Sequence, residues 1–263
     1  MLEIDLRNKR AVVCGSTQGI GKATAMLMAE AGATVILIAR NPEKLAAAKA
    51  ELPTPYNQKH EVIAADFSTP HILKVKLENY LLRTQPVHIL VNNTGGPPAG
   101  KAVEASIEQF MTAFQAHLVC NQILVQTVVE GMKKEKYGRI INIISTSVKQ
   151  PIPGLGVSNT IRGAVGNWSK TLAGELAPFG ITVNNVLPGA TETERLTSII
   201  DNKSAKANKQ RDVIEQEMLH EIPAARFAAP KEIGYAATFL ASPMAAYING
   251  TNVVVDGGRT ACL

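Results

Sequence analysis

Seven short, β-branched and apolar runs punctuate the chain at 10–14, 34–39, 61–65, 88–91, 139–144, 181–187 and 252–255, and each gap between them is long enough to hold a helix. The runs are apolar throughout rather than alternating, so both faces of their sheet must be covered. Helices that cross over from strand to strand supply that cover. The expected fold class is α/β, a doubly wound seven-stranded parallel sheet with helices on both faces. At 263 residues, a chain can hide most of its apolar surface as one unit. With no internal repeat and no linker in view, residues 1–263 are expected to form a single domain.

Within that frame the segment after the fifth run is the plainest helix, because Val157, Ile161, Ala164, Val165, Trp168, Leu172 and Leu176 recur as one buried stripe. Trp168 is therefore expected in the core. From about 194 to 226 charged and polar residues dominate and no strand intervenes, which predicts a helical excursion. In α/β sheets ligands sit beyond the carboxyl ends of the strands, where such a segment acts as a substrate loop; a solvated surface insertion is the alternative.

No apolar run approaches the roughly 18 residues that cross a bilayer, so no membrane partner is expected. The opening MLEIDLRNKR lacks the apolar stretch of a secretory signal, and Cys14, Cys120 and Cys262 are odd in number and far apart. Both points predict a reduced, cytoplasmic protein. The formal net charge of +5 is spread along the chain without a basic-aromatic stripe, which argues against nucleic acid. No metal site is expected either.

The first run leads directly into Gly15-Ser16-Thr17-Gln18-Gly19-Ile20-Gly21, and a helical pattern follows at once. Strand, glycine turn and helix are the context that binds a dinucleotide: the glycines admit the pyrophosphate, and the helix N-terminus offers free N–H groups and a positive dipole end. The fold is thus Rossmann-type. At the end of the second run, where NAD-binding chains place an acid for the ribose 2′-hydroxyl, this sequence reads Ile38-Ala39-Arg40. A guanidinium there suits a 2′-phosphate, so the expected cofactor is NADP rather than NAD.

These residues resemble the short-chain dehydrogenases/reductases, and among them the members like 3-oxoacyl-ACP reductases; the likeness spans nearly the whole chain. Residues 15–21 look like the family's cofactor turn, and Asp66, with Phe67 beside it, looks like its adenine-contacting acid. Asn92-Asn93-Thr94-Gly95 resembles the family's NNAG signature. The segment Pro188-Gly189-Ala190-Thr191-Glu192-Thr193 resembles the stretch at the nicotinamide end, and Val255-Asp256-Gly257-Gly258 the usual C-terminal close. The resemblance implies cofactor contacts from Asn93, Pro188, Gly189, Thr191 and Thr193, and a homotetramer or dimer.

The family's chemistry uses a Ser, a Tyr, a Lys and a helical Asn. By the same alignment Ser145 keeps the Ser position, whereas Ser158 stands at the Tyr position, Arg162 at the Lys position and His117 at the Asn position. A Ser hydroxyl is far less acidic than a phenol, and an Arg does not relay protons. Ser158 and Arg162 are one helical turn apart and share a face. Two side chains are candidates for a substitute acid. His117 would titrate in the useful range, and Lys149, four residues after Ser145, would serve if burial lowered its pKa. Each also has a plain structural reading, as a buried helical histidine and a solvated loop lysine.

Two functions follow. The first is an NADP-dependent oxidoreductase of carbonyl or secondary-alcohol small molecules, 3-oxoacyl thioesters among them, with a non-standard proton donor. The second is a cofactor-binding sensor or inactive partner subunit, in which the binding motifs are intact and the acid is gone.

Overall fold

The computed structural model describes residues 4–262. Among them, seven strands form one parallel sheet: β1 (Arg10–Cys14), β2 (Thr34–Ala39), β3 (Glu61–Ala64), β4 (Ile89–Asn92), β5 (Gly138–Ile143), β6 (Ile181–Pro188) and β7 (Asn252–Val255). Their order is β3-β2-β1-β4-β5-β6-β7, the doubly wound arrangement that the apolar runs require. Strand ends differ from the expected ones by a residue, as ladder ends commonly do.

Nine α-helices among the described residues join the strands: α1 (Gly19–Glu30), α2 (Pro42–Ala50), α3 (Pro70–Leu81), α4 (Ile107–Phe114), α5 (Cys120–Glu135), α6 (Gly156–Leu176), α7 (Glu194–Ala207), α8 (Arg211–His220) and α9 (Pro230–Ala241). Alternate residues of one strand feed two different cores. Val13, Val35 and Leu37 pack with Met28 of α1, Leu45 of α2 and Leu240 of α9. Val12, Ile36 and Ile38 pack on the opposite face with Leu77 of α3, Leu124 of α5 and Leu176 of α6. In β1, β2, β4, β5 and β6 nearly every side chain is buried whichever way it points, which is why these runs show no alternation, whereas Val62 on the edge strand β3 is exposed and β7 is half-buried.

Local chemistry starts the helices where the sheet needs them. Pro42, Pro70 and Pro230 each open a helix, where the missing N–H costs nothing. The Asn41 side chain accepts from Lys44 N–H at 2.8 Å, and Ser106 and Gln109 form a capping box at α4. The stripe on α6 is buried at Val157, Ile161, Val165 and Leu176. Trp168 is half-buried between two core clusters, and its Nε1–H donates to Gln122 Oε1 at 2.7 Å.

A polar seam crosses the sheet. The registers of β4, β5, β6 and β7 align Asn92, Asn142, Asn185 and Asn252 side by side. Asn92 Nδ2 donates to Asn142 Oδ1 at 2.8 Å, Asn142 Nδ2 to Asn185 Oδ1 at 3.0 Å, and Asn185 Nδ2 to Asn252 Oδ1 at 2.8 Å. A second bond from Asn142 Nδ2 reaches Ser169 Oγ on α6 at 3.2 Å. These amides satisfy one another except at Asn92 Oδ1, which is buried without a hydrogen-bond partner.

β1 has β2 on one side and β4 on the other, so the chain winds away in opposite directions from this point. The loops leaving β1 and β4 diverge and open a crevice at the strands' carboxyl ends. Residues 194–226 hold α7 and α8 and no strand. These two helices pack on each other through Leu196, Ile200, Ile214 and Met218. Among the described residues no helix is long and apolar enough to cross a membrane.

Candidate active site

The crevice is a cavity of about 740 Å³ that runs from the glycine turn to α6 and α7. Gly15 sits at φ +58°, and a Cβ on it would lie 2.6 Å from the Asn93 carbonyl oxygen. A Cβ on Gly21 would collide with the Gly15 carbonyl. Both positions therefore demand glycine. Asn93 Nδ2 clamps the turn by donating to the carbonyls of Cys14 at 3.2 Å and Gly15 at 3.3 Å.

At the start of α1 no side chain caps the helix and no acid stands in its first turn. Its first N–H groups thus face the cavity for an anion to meet, which fits a pyrophosphate. Gly15, Thr17, Gln18, Gly19 and Ile20 line the cavity; Ser16 and Gly21 do not. Ser16 is fully buried, its hydroxyl directed to the Ile38 carbonyl at 3.4 Å. Its side chain thus supports the turn from behind instead of touching a ligand.

Arg40 stands exposed at the mouth, with Asn41 and Lys44 beside it. Lys44 escaped the sequence reading, although its place in the first turn of α2 was a signal: it shares the cavity mouth with Arg40. Asp66 and Phe67 line the same end. The Ser68 N–H donates to Asp66 Oδ1 at 2.8 Å. That bond, and more weakly the Arg40 charge, hold the Asp66 carboxyl below its ordinary range against the opposing effect of burial.

At the other end Ser145, Ser158 and Arg162 come together on the cavity wall. Ser145 follows β5, and its Oγ accepts from Ser147 N–H at 3.1 Å, which leaves its own O–H to donate into the cavity. Ser158 Oγ has no hydrogen-bond partner among the described residues. Arg162 is buried, with Nη1–H donating to the Ile143 carbonyl at 2.9 Å. Burial, and then the Arg195 charge, draw its pKa down to about 10, so it stays charged at neutral pH. Pro188 at the end of β6, with Gly189, Thr191 and Thr193 from the loop after it, completes this wall. Gly189 N–H is tied to the Val255 carbonyl at 2.9 Å, and Thr193 caps α7.

The structure places neither candidate acid, His117 or Lys149, on the cavity wall. His117 lies on a π-helical turn, Gln115–Val119, between α4 and α5. It is buried and absent from the cavity wall. Burial and then the Arg162 charge push its pKa down to about 2, outweighing a hydrogen bond to the Gly95 backbone. His117 is thus neutral and does not titrate near neutrality. It meets the cavity through Thr94, whose Oγ1 lies 2.6 Å from His117 Nδ1, and through the Gly95 backbone; both residues line the wall. Lys149 closes the 3₁₀ turn Thr146–Val148, and its side chain does not line the cavity either. Lys149 is half-buried beyond that turn.

Arg195 was also missed. It enters the cavity from the first turn of α7, and its Nη2–H donates to the Pro97 carbonyl. Gln18 Nε2 donates to Glu194 Oε2 at 2.8 Å, linking the glycine turn to the same helix. A sequence pattern places α7 near the site but not which of its side chains turns inward.

Comparison with known proteins agrees with this architecture. The family described as Enoyl-(Acyl carrier protein) reductase matches residues 15–260. The 3-oxoacyl-(acyl-carrier-protein) reductase of Aquifex aeolicus is 31% identical over 98% of this chain and 99% of its own. The NADPH-dependent reductase of Bacillus subtilis is 28% identical over 96% of this chain and 98% of its own. Among solved structures, L-sorbose reductase from Gluconobacter frateurii, complexed with NADPH and L-sorbose, superposes with a TM-score of 0.92 at 29% identity, covering 100% of both chains.

Proposed function

The chain belongs to the short-chain dehydrogenase/reductase superfamily, and on that premise we propose that it is an NADP-dependent oxidoreductase of carbonyl or secondary-alcohol substrates with a non-standard proton donor. One observation carries this reading: a single cavity joins an uncapped helix N-terminus and an Arg40–Lys44 mouth to a wall bearing Ser145, Ser158 and Arg162. Gly15 to Ile20 would hold the pyrophosphate, Arg40 and Lys44 the 2′-phosphate, and Asp66 the adenosine end. When bound, NADP supplies or accepts the hydride.

The chain's own residues do the rest. Ser145 has its hydroxyl proton free, so it donates to the substrate oxygen and fixes the carbonyl. Ser158 has an unpartnered hydroxyl one turn before Arg162 and passes a proton between solvent and that oxygen. The fixed charge of Arg162 favours the developing alkoxide. An enzyme without its best acid is slowed by about 10²- to 10⁴-fold, not silenced.

The sensor or inactive-partner reading is favoured by one observation, namely that His117 is buried off the cavity wall and presents no acid to it. Titrating NADPH and NADH by fluorescence, then following NADPH oxidation with ketones, aldehydes and acyl thioesters, separates the two. Tight NADPH binding with turnover supports the reductase; tight binding without turnover on any substrate supports the sensor.

Assembly into a dimer or tetramer is part of the same proposal. Ile107 and Met111 of α4 are 72% and 61% exposed, an apolar surface suited to a second copy. A reduced, cytoplasmic setting fits the free thiols of Cys14, Cys120 and Cys262.

A further inference from the structure

Two guanidinium groups share the reacting end of the cavity without a carboxylate between them. Arg162 spends one donor on the Ile143 carbonyl and Arg195 one on the Pro97 carbonyl. A guanidinium carries five N–H donors, and among the described residues neither side chain has an acidic partner within ion-pair distance. Arg162 is only 8% exposed. Arg195 also stands in the first turn of α7, where the helix dipole disfavours a cation. Two like charges, one buried and one on the wrong end of a helix, are costly unless an anion joins them.

The phosphates of the cofactor have other hosts in this reading: the α1 N-terminus for the pyrophosphate, and Arg40 with Lys44 for the 2′-phosphate. Arg195 instead packs on the loop after β4, with its Nε 3.4 Å from where a Gly96 Cβ would stand. Leu155, Leu196 and Ile199 line the wall around it, so an apolar body fits beside the charge.

We propose that Arg195, with Arg162 behind it, anchors the carboxylate of the substrate, so that the protein acts on a short free oxo acid rather than on a neutral ketone or a thioester. The proposal rests on the reductase reading above and narrows its substrate class. Arg195 is the specificity-determining residue: it forks onto the carboxylate while Ser145 holds the carbonyl oxygen. A thioester carries no charge at that place and leaves both cations unpaired.

The test uses 2-oxohexanoate and 3-oxohexanoate, each paired with its methyl ester, and the N-acetylcysteamine thioester of the 3-oxo acid. NADPH oxidation is followed in wild type, Arg195→Gln and Arg195→Lys, and the Kd for NADPH is measured in each. At least one acid is expected to exceed its ester in kcat/KM by about 10²-fold, and Arg195→Gln is expected to bring that ratio near one, mainly through KM. Arg195→Lys should fall between, and NADPH affinity should stay within about twofold. Esters or thioester turned over as well as the acids would overturn the proposal while leaving the reductase intact. So would an Arg195→Gln variant that loses NADPH affinity as much as acid affinity, since the arginine would then serve the cofactor. If nothing is turned over, the reductase reading fails and binding decides. Saturable quenching of bound NADPH fluorescence by the acids but not the esters, lost in Arg195→Gln, keeps the carboxylate site; no such binding overturns it.

Discussion

His117 Nδ1 and Thr94 Oγ1 lie 2.6 Å apart, one on a π-helical turn and the other on the loop after β4. This bond holds the imidazole behind the cavity wall, while Thr94 and Gly95 face the site. The side chain that the sequence offers as a substitute acid is thereby a support for the loop, and π-helical turns often carry such site-shaping residues.

The pH dependence follows from that burial. His117 falls to about 2 in the folded chain from an ordinary 6.5. Between those values the unfolded chain binds a proton that the folded one does not, so stability is full above pH 6.5 and is lost as pH falls. His117→Asn is expected to lose about 1–2 kcal/mol at pH 7. Its deficit should then shrink by about 1.4 kcal/mol per pH unit below 6.5. Urea unfolding at pH 7, 6 and 5 measures this, and a deficit that does not change with pH would refute it.

The same pair of shifts governs the rate. His117 sits near 2 and Arg162 near 10, so neither changes charge across neutrality. Turnover of the preferred carbonyl substrate should give a kcat/KM that is level from about pH 6 to 9. His117→Asn should leave the shape of that profile as it is, and a bell centred near 7 in wild type only would restore the histidine as the acid.

Arg40 stands at the cavity mouth beside Lys44. Arg40→Glu is expected to weaken NADPH binding by about 10- to 100-fold and NADH binding far less, because only NADPH carries the 2′-phosphate. Fluorescence titration of both cofactors decides it, and equal losses would remove the NADP assignment.

Ser158 and Arg162 are one turn apart on the cavity wall. Restoring a phenol and an amine with Ser158→Tyr and Arg162→Lys should raise kcat by about 10²-fold on a neutral ketone. A fall instead would mean that the mechanism depends on the serine and arginine themselves.

Asn142 is fully buried and bonds Asn92, Asn185 and Ser169 at once. Asn142→Ala strands those partners in an apolar interior and should cost about 2–5 kcal/mol by denaturant unfolding. A loss under about 1 kcal/mol would show that the seam is dispensable.

What the sequence by itself determined is what depends on neighbours along the chain. The seven apolar runs, the glycines at 15 and 21 and the stripe on α6 are set by period and local stereochemistry, so the sheet and the dinucleotide turn were legible, while Ser145, Ser158 and Arg162 were implied by the family resemblance. The tertiary structure decided the rest, because depth and direction depend on elements far apart in the chain. Ser16 turned inward under β2, His117 sank behind Thr94 on a π-helical turn, and Lys149 fell outside the wall while Arg195 entered it. The asparagine seam likewise exists only once the registers of four strands align, and no local pattern carries that alignment.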